Sequence, residues 1–176
     1  GWAVKFDGSG MMFADYSKKF PQASFTATCW VKLGDNNTNS GIFDLGSSSG
    51  KNWWLLATTP AAGQKGVKFG IGKNPTTKTE IAFTLPDSSK NDWHYYAATF
   101  NDSKLMFFVD GELVGSTTGQ YTPDSISLFV GRRTDGGGYF KGNVDDLRFF
   151  SRALPQTELL MAMKNTVPSS TNGLTA

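Results

Sequence analysis

The feature that most constrains this chain is a polar–apolar alternation that runs for a few residues, stops, and starts again. In SFTATCWVK, Phe25, Ala27, Cys29 and Val31 fall on one side and Thr26, Thr28, Trp30 and Lys32 on the other. A period of two marks a β-strand, whose successive side chains point to opposite faces. KLMFFVDGELVGS repeats the pattern: Leu105, Phe107 and Val109 share a face, Asp110-Gly111 supplies a two-residue hairpin turn, and Leu113-Val114 begins the return strand. Further strands are expected at 3–6, 41–45, 53–57, 66–72, 80–85, 93–100, 125–131 and 140–150. About a dozen short strands at a spacing of roughly 8–12 residues, with Gly- and Asn-rich turns between aromatic runs, predict an all-β sandwich or barrel.

One helix is expected, in ALPQTELLMAMK. Pro155 suits a first-turn position, Glu158 complements the helix dipole, and Leu159, Leu160 and Met163 share a face. The Ser/Thr/Pro/Gly-rich NTVPSSTNGLTA that follows reads as a linker or tail. No internal repeat or second domain is visible. The expected organisation is therefore one sandwich over residues 1–164 and a tail over 165–176.

The 176 residues suffice for one domain with a sizeable core. Seventeen Lys plus Arg against fifteen Asp plus Glu leave a formal charge of +2, and no basic run exceeds the pairs Lys18-Lys19 and Arg132-Arg133. Neither a nucleic-acid groove nor a polybasic membrane patch is expected. No apolar run approaches the roughly 20 residues of a membrane helix, so no membrane insertion is expected. The opening Gly1-Trp2 lacks a signal-peptide pattern and suits an excised or processed domain. With one cysteine, Cys29, and one histidine, His94, there is neither a disulfide framework nor a Cys/His zinc site. Cys29 reads as a small buried hydrophobe, and the lack of disulfides does not count against secretion.

Taken in order, AVKFDGSG, SFTATCWVK, GIFDLGS, DWHYYAATFNDSKLMFFVDGELVGS, LFVGRR and FKGNVDDLRFFSRALPQTEL resemble the concanavalin A-like jelly roll in its laminin-G-like, pentraxin-related branch. The two long blocks are the most specific, because a tryptophan strand, a VDG hairpin, a GxxDD strand and an RAL-helix follow one another. The resemblance implies an all-β, two-sheet antiparallel jelly-roll sandwich with one short C-terminal helix. It does not imply one function: such domains serve as carbohydrate-binding modules, adhesion domains, structural appendages and sometimes glycosidases or lyases.

The resemblance also implies a structural calcium, with Asp145 near the ion and the FDG turn close by. Ca²⁺ takes six to eight oxygens, so Asp7 and Asp145, helped by carbonyls in Asp7-Gly8-Ser9-Gly10, form the expected ligand set. Asp145 could equally accept hydrogen bonds from turn amides, or pair with Arg148 or Arg152.

No catalytic pair is evident. Glycosidases need two carboxylates about 5–5.5 Å apart for retention or about 6.5–9.5 Å for inversion. Glu80, Glu112 and Glu158 each stand alone, and Asp145 and Asp146, adjacent on a strand, are expected to face opposite ways. His94 reads as a hydrogen-bonded structural residue, and neither a nucleophile elbow nor a phosphate loop occurs.

Glycan recognition needs aromatic faces for stacking and planar polar groups for hydroxyls. Trp30 and Trp93 are expected to pack, and Trp2 to anchor the N-terminus. Trp53-Trp54 follows the polar loop GSSSGKN, so one ring faces the core and the other is a candidate platform; the alternative is a strand edge packed under the loop. In GRRTDGGGYFKG, Arg132, Arg133, Asp135 and Tyr139 surround three glycines in a loop expected to be mobile; the alternative is a simple hairpin closure. The sequons Asn36-Asn37-Thr38 and Asn101-Asp102-Ser103 read as Asn-rich turns. The expected function is a non-catalytic, lectin-like carbohydrate-binding module of a larger secreted or cell-surface protein. A structural or adhesion domain contacting another protein is the alternative, and a hydrolase or lyase the third.

Overall fold

The computed structural model describes residues 3–16, 24–47, 50–122, 126–165 and 173–175. Among these, thirteen strands and one helix follow in order: β1 (Ala3–Asp7), β2 (Met12–Tyr16), β3 (Ser24–Leu33), β4 (Ser40–Gly46), β5 (Trp53–Thr58), β6 (Gly66–Gly72), β7 (Lys78–Thr84), β8 (Trp93–Asn101), β9 (Lys104–Val109), β10 (Glu112–Thr118), β11 (Ile126–Val130), β12 (Lys141–Phe150), α1 (Gln156–Lys164) and β13 (Gly173–Thr175). They build a seven-stranded sheet, β10-β9-β8-β3-β12-β1-β13, and a six-stranded sheet, β2-β11-β4-β5-β6-β7. The described pairings are antiparallel except that of β1 with β13. This is the expected two-sheet sandwich with non-sequential, jelly-roll strand order.

The alternation read from the sequence builds the core. Phe25, Ala27, Cys29, Val31 and Leu33 of β3 are buried between the sheets against Trp53 and Leu55 of β5 and Phe69 of β6. Each large side chain so buried contributes roughly 1.5–3 kcal/mol. Burial also pushes the Cys29 thiol pKa far up, which leaves it inert. Between β9 and β10, Asp110 and Gly111 take φ of 51° and 84°, the two positive values of the expected hairpin turn.

The outer face of the seven-stranded sheet is buried as well. Trp30, Tyr95 and Phe108 form a second apolar cluster with Leu154 and Leu159, so α1 and its lead-in cover this side. Thr26 Oγ1 fixes the lead-in by donating to the Arg152 carbonyl and accepting from the Leu154 amide, both at 2.8 Å. Among the described residues no side chain caps α1, whose N-cap position is Pro155; Arg152 pairs with Glu158 in the first turn.

Two elements lie outside the expectations. β2 is an additional edge strand, with Met12 and Phe13 48% and 54% exposed. Within the expected tail 165–176, Gly173–Thr175 pairs in parallel with β1. Trp2 and residues 166–172 lie outside the described residues.

Candidate ligand-binding cleft

One cross-strand row organises the outer face of the six-stranded sheet. Successive register partners run Phe13 on β2, Phe129 on β11, Asp44 on β4, Trp54 on β5, Gly70 on β6 and Glu80 on β7. Adjacent strands lie about 4.8 Å apart, so the row crosses the whole sheet. Over its centre opens a cleft of about 330 Å³ lined in part by Trp54, Lys78, Glu80, Arg133 and Asp135.

Trp54 is the floor. A methyl group on Gly70 would lie 2.4 Å from indole Cε2 and Cζ2, so the ring rests flat on the bare backbone of that glycine. Its Nε1–H donates to Glu80 Oε1 at 3.1 Å, and Lys68 Nζ pairs with the same carboxylate oxygen at 3.1 Å. Lys78 Nζ stands 5.8 Å from the ring centroid, within cation–π range.

One wall is the β11–β12 loop, pinned by a buried carboxylate. Asp44 is 5% exposed, and its Oδ2 accepts from the Thr134 amide and hydroxyl, both at 3.0 Å. Its Oδ1 accepts from Asn52 Nδ2 at 3.1 Å. Burial raises the Asp44 pKa, opposed by these hydrogen bonds. Asn52 also donates to Thr134 Oγ1 at 3.0 Å, while its own Oδ1 is buried without a partner among the described residues. The Gly41 amide ties the far end of the loop to the Gly138 carbonyl at 2.7 Å. The loop expected to be mobile is thus stitched to β4 at both ends. Along it, Arg133 Nε and Nη2 grip both Asp135 oxygens, and this contact lowers the Asp135 pKa.

The sequence-derived candidates are divided by this geometry. Trp54, Arg133 and Asp135 line the cleft together. Trp53 does not; it is fully buried, stacks on Phe25 at 3.6 Å and donates from Nε1 to Tyr121. Arg132 lies outside, with its guanidinium 4.7 Å from the Phe129 ring centroid. Tyr139 is 38% exposed and is also outside the cleft. Asp44, Asn52, Lys68, Lys78 and Glu80 were not singled out beforehand as ligand contacts; the detectable signal was a carboxylate, Asp44, inside the apolar run GIFDLG.

Asp7 and Asp145 are not brought together. Asp7 pairs with Lys141 at one end of the β1–β12 ladder, whereas Asp145 lies just beyond Val144, the partner of Val4. Four residues of strand separate them, roughly 13 Å, too far for one ion between the carboxylates. Asp7 Oδ1 instead accepts from the Ser9 hydroxyl and amide, at 2.7 and 2.9 Å, which lowers its pKa. Asp145 Oδ1 accepts from the Asp146 amide at 2.8 Å, a turn-amide bond of the kind weighed against calcium. Strict alternation breaks here: β12 bulges between Asp145 and Arg148, Asp146 takes φ of 50°, and Arg148 Nε donates to Asp146 at 2.8 Å. Among the described residues, no group of three or more His, Cys, Asp or Glu side chains could hold a metal ion.

His94 is held structurally. Its Nδ1 lies 2.6 Å from Asp110 Oδ2 and its Nε2 2.9 Å from the Ser89 carbonyl, both acceptors, an arrangement that favours the protonated ring, which can donate at both nitrogens. Burial works to lower its pKa and is outweighed by these acceptors, chiefly Asp110, so the pKa is raised.

A family model described as the concanavalin A-like lectin/glucanases superfamily matches residues 7–160. No curated protein sequence matches the chain. Among solved structures, the heptameric SAP-like pentraxin from Limulus polyphemus is similar at a TM-score of 0.68 and 14% identity, covering 90% of this chain and 79% of that one. A botulinum neurotoxin type C structure, from work on cell entry dependent upon interaction with two ganglioside molecules, gives 0.68 and 13%, covering 93% and 42%. The binding domain of botulinum neurotoxin DC in complex with rat synaptotagmin II gives 0.63 and 14%, covering 81% and 36%. The chain thus spans about two fifths of the toxin structures it matches, and at these identities the likeness is one of fold.

Proposed function

The chain belongs to the concanavalin A-like lectin/glucanases superfamily, and from that premise we propose that it is a non-catalytic carbohydrate-binding module whose ligand lies over Trp54. The observation that carries this reading is the indole laid flat on Gly70 as the floor of an open cleft. The ring is held rigidly and is 6% exposed, so the apolar surface it presents to a sugar is small but costs little entropy to order. Around it stand planar polar groups suited to hydroxyls, in Glu80, Arg133 and Asp135. Hydrogen bonds hold each of them before any ligand arrives.

The same geometry argues against hydrolysis. Asp44 and Glu80 are three strands apart, roughly 14 Å, beyond either glycosidase spacing. Asp44 lies beneath Thr134, and Asp135 is held by Arg133 on both oxygens. A module of this kind fits a larger secreted or cell-surface protein, and that setting is part of the proposal.

A second reading, contact with another protein, is favoured by the exposed Met11, Met12 and Phe13 at and beside the edge strand β2. A glycan array, with titration calorimetry on its hits, separates the two. Selective glycan binding that falls at least tenfold in Trp54→Ala is the expected result. A blank array, with a protein partner whose binding is lost in Phe13→Ala, replaces it with the protein-contact reading. Release of reducing ends from any bound polysaccharide would make the domain an enzyme.

A further inference from the structure

We infer that the glycan is anionic, with carboxylate or sulfate groups placed to meet Lys78 and Arg132 on either side of the sugar over Trp54; the inference rests on the glycan-binding reading above. It comes from an imbalance in charge pairing on this face. All three cleft carboxylates are engaged within the protein: Asp44 by Thr134 and Asn52, Glu80 by Trp54 and Lys68, Asp135 by Arg133. None of them awaits a cationic group from a ligand.

Two cations on the same face form no salt bridge among the described residues, although the Lys78 charge acts on Asp135 from a distance. The Lys78 ammonium has the Trp54 ring as its contact. The Arg132 guanidinium lies on the Phe129 ring, and its Nε is buried with no hydrogen-bond acceptor. Phe129 and Trp54 sit two strands apart on one row, about 10 Å, so Lys78 stands inside the cleft and Arg132 beyond its Thr134 wall on the other side of Asp44. A neutral sugar landing on Trp54 would displace Lys78 from the ring and offer it only hydroxyl oxygens, weaker acceptors than an oxyanion. An oxyanion on the sugar would receive that ammonium. Arg132 adds a planar fork, already oriented by its stacking on Phe129, of the kind that pairs with carboxylate or sulfate oxygens through two parallel hydrogen bonds.

The oxyanion could come from a uronic-type carboxylate or from a sulfate ester, and the test separates them. Four probes are titrated: an oligouronate, its carboxyl-reduced neutral counterpart, a sulfated oligosaccharide, and its desulfated counterpart. Binding of one charged probe about tenfold tighter than its neutralised counterpart is expected, with the gap narrowing as salt is added. In Lys78→Met and Arg132→Met, which keep an unbranched apolar stem over each ring, the charged probe is expected to weaken severalfold more than its neutralised counterpart. If Arg132→Met folds poorly, the exposed Lys78→Met carries the test alone. Equal binding of charged and neutral probes, or equal weakening of both in the variants, overturns the anionic assignment and leaves the glycan reading standing. No binding of any probe, together with a blank glycan array, overturns both.

Discussion

Gly70→Ala isolates the contact on which the cleft is built. The glycine does not take a positive φ, so alanine meets no backbone strain there and its effect is steric. The new methyl would come within 2.4 Å of the Trp54 ring and 2.6 Å of its Nε1, so the indole must lift or turn. That movement breaks the 3.1 Å bond to Glu80. Overpacking of this kind, with one hydrogen bond lost, costs about 2 kcal/mol, or about 5 °C in Tm for a chain of this length. In a Trp54→Ala background the obstacle is gone, and alanine in a strand interior is then neutral or stabilising by about 0.5 kcal/mol relative to glycine. Urea denaturation of the four proteins of the double-mutant cycle should therefore give a coupling of about 2 kcal/mol. Glycan affinity should fall in Gly70→Ala, as is expected for Trp54→Ala. The same destabilisation by Gly70→Ala in both backgrounds would refute the picture of a ring resting on bare backbone.

Two further outcomes are expected. The raised His94 pKa means that its contribution to stability is fully present below the unfolded-state value near 6.5 and is lost as pH rises through the folded-state value. The urea midpoint should decline from pH 6 towards alkaline pH, and His94→Gln should flatten that decline; an unchanged profile in the variant would place the titration elsewhere. Because Asp7 and Asp145 stand at opposite ends of their ladder, EDTA and added calcium should both leave Tm unmoved; a shift of several degrees reversed by calcium would mean that other oxygens bind the ion.

The sandwich was legible because its code is local. A period of two in β3 and an Asp-Gly step between β9 and β10 carry their meaning within a dozen residues. β2 was not, because an edge strand with Met12 and Phe13 turned towards solvent shows no clean apolar face. Adjacent tryptophans had to face opposite ways, but only the pairing of β5 with β4 and β6 tells that Trp53 enters the core and Trp54 the cleft. Glu80 and Lys78 reach the site through the register of β5, β6 and β7, which no single segment encodes. Asp145 and Asp146 are only half-buried beside a bulge, whereas the carboxylate inside the fold is Asp44, whose partners Asn52 and Thr134 come from other segments.

The helix that seals one sheet also gives the molecule a handle. With α1 over the seven-stranded sheet and the cleft on the outer face of the other, anything attached through the helix points the cleft away from its support. Met161 on α1 is 64% exposed, while the lone native thiol, Cys29, is buried and held protonated. A single Met161→Cys substitution would therefore offer thiol chemistry one address, and a surface or bead coupled there would display every copy with its cleft outward.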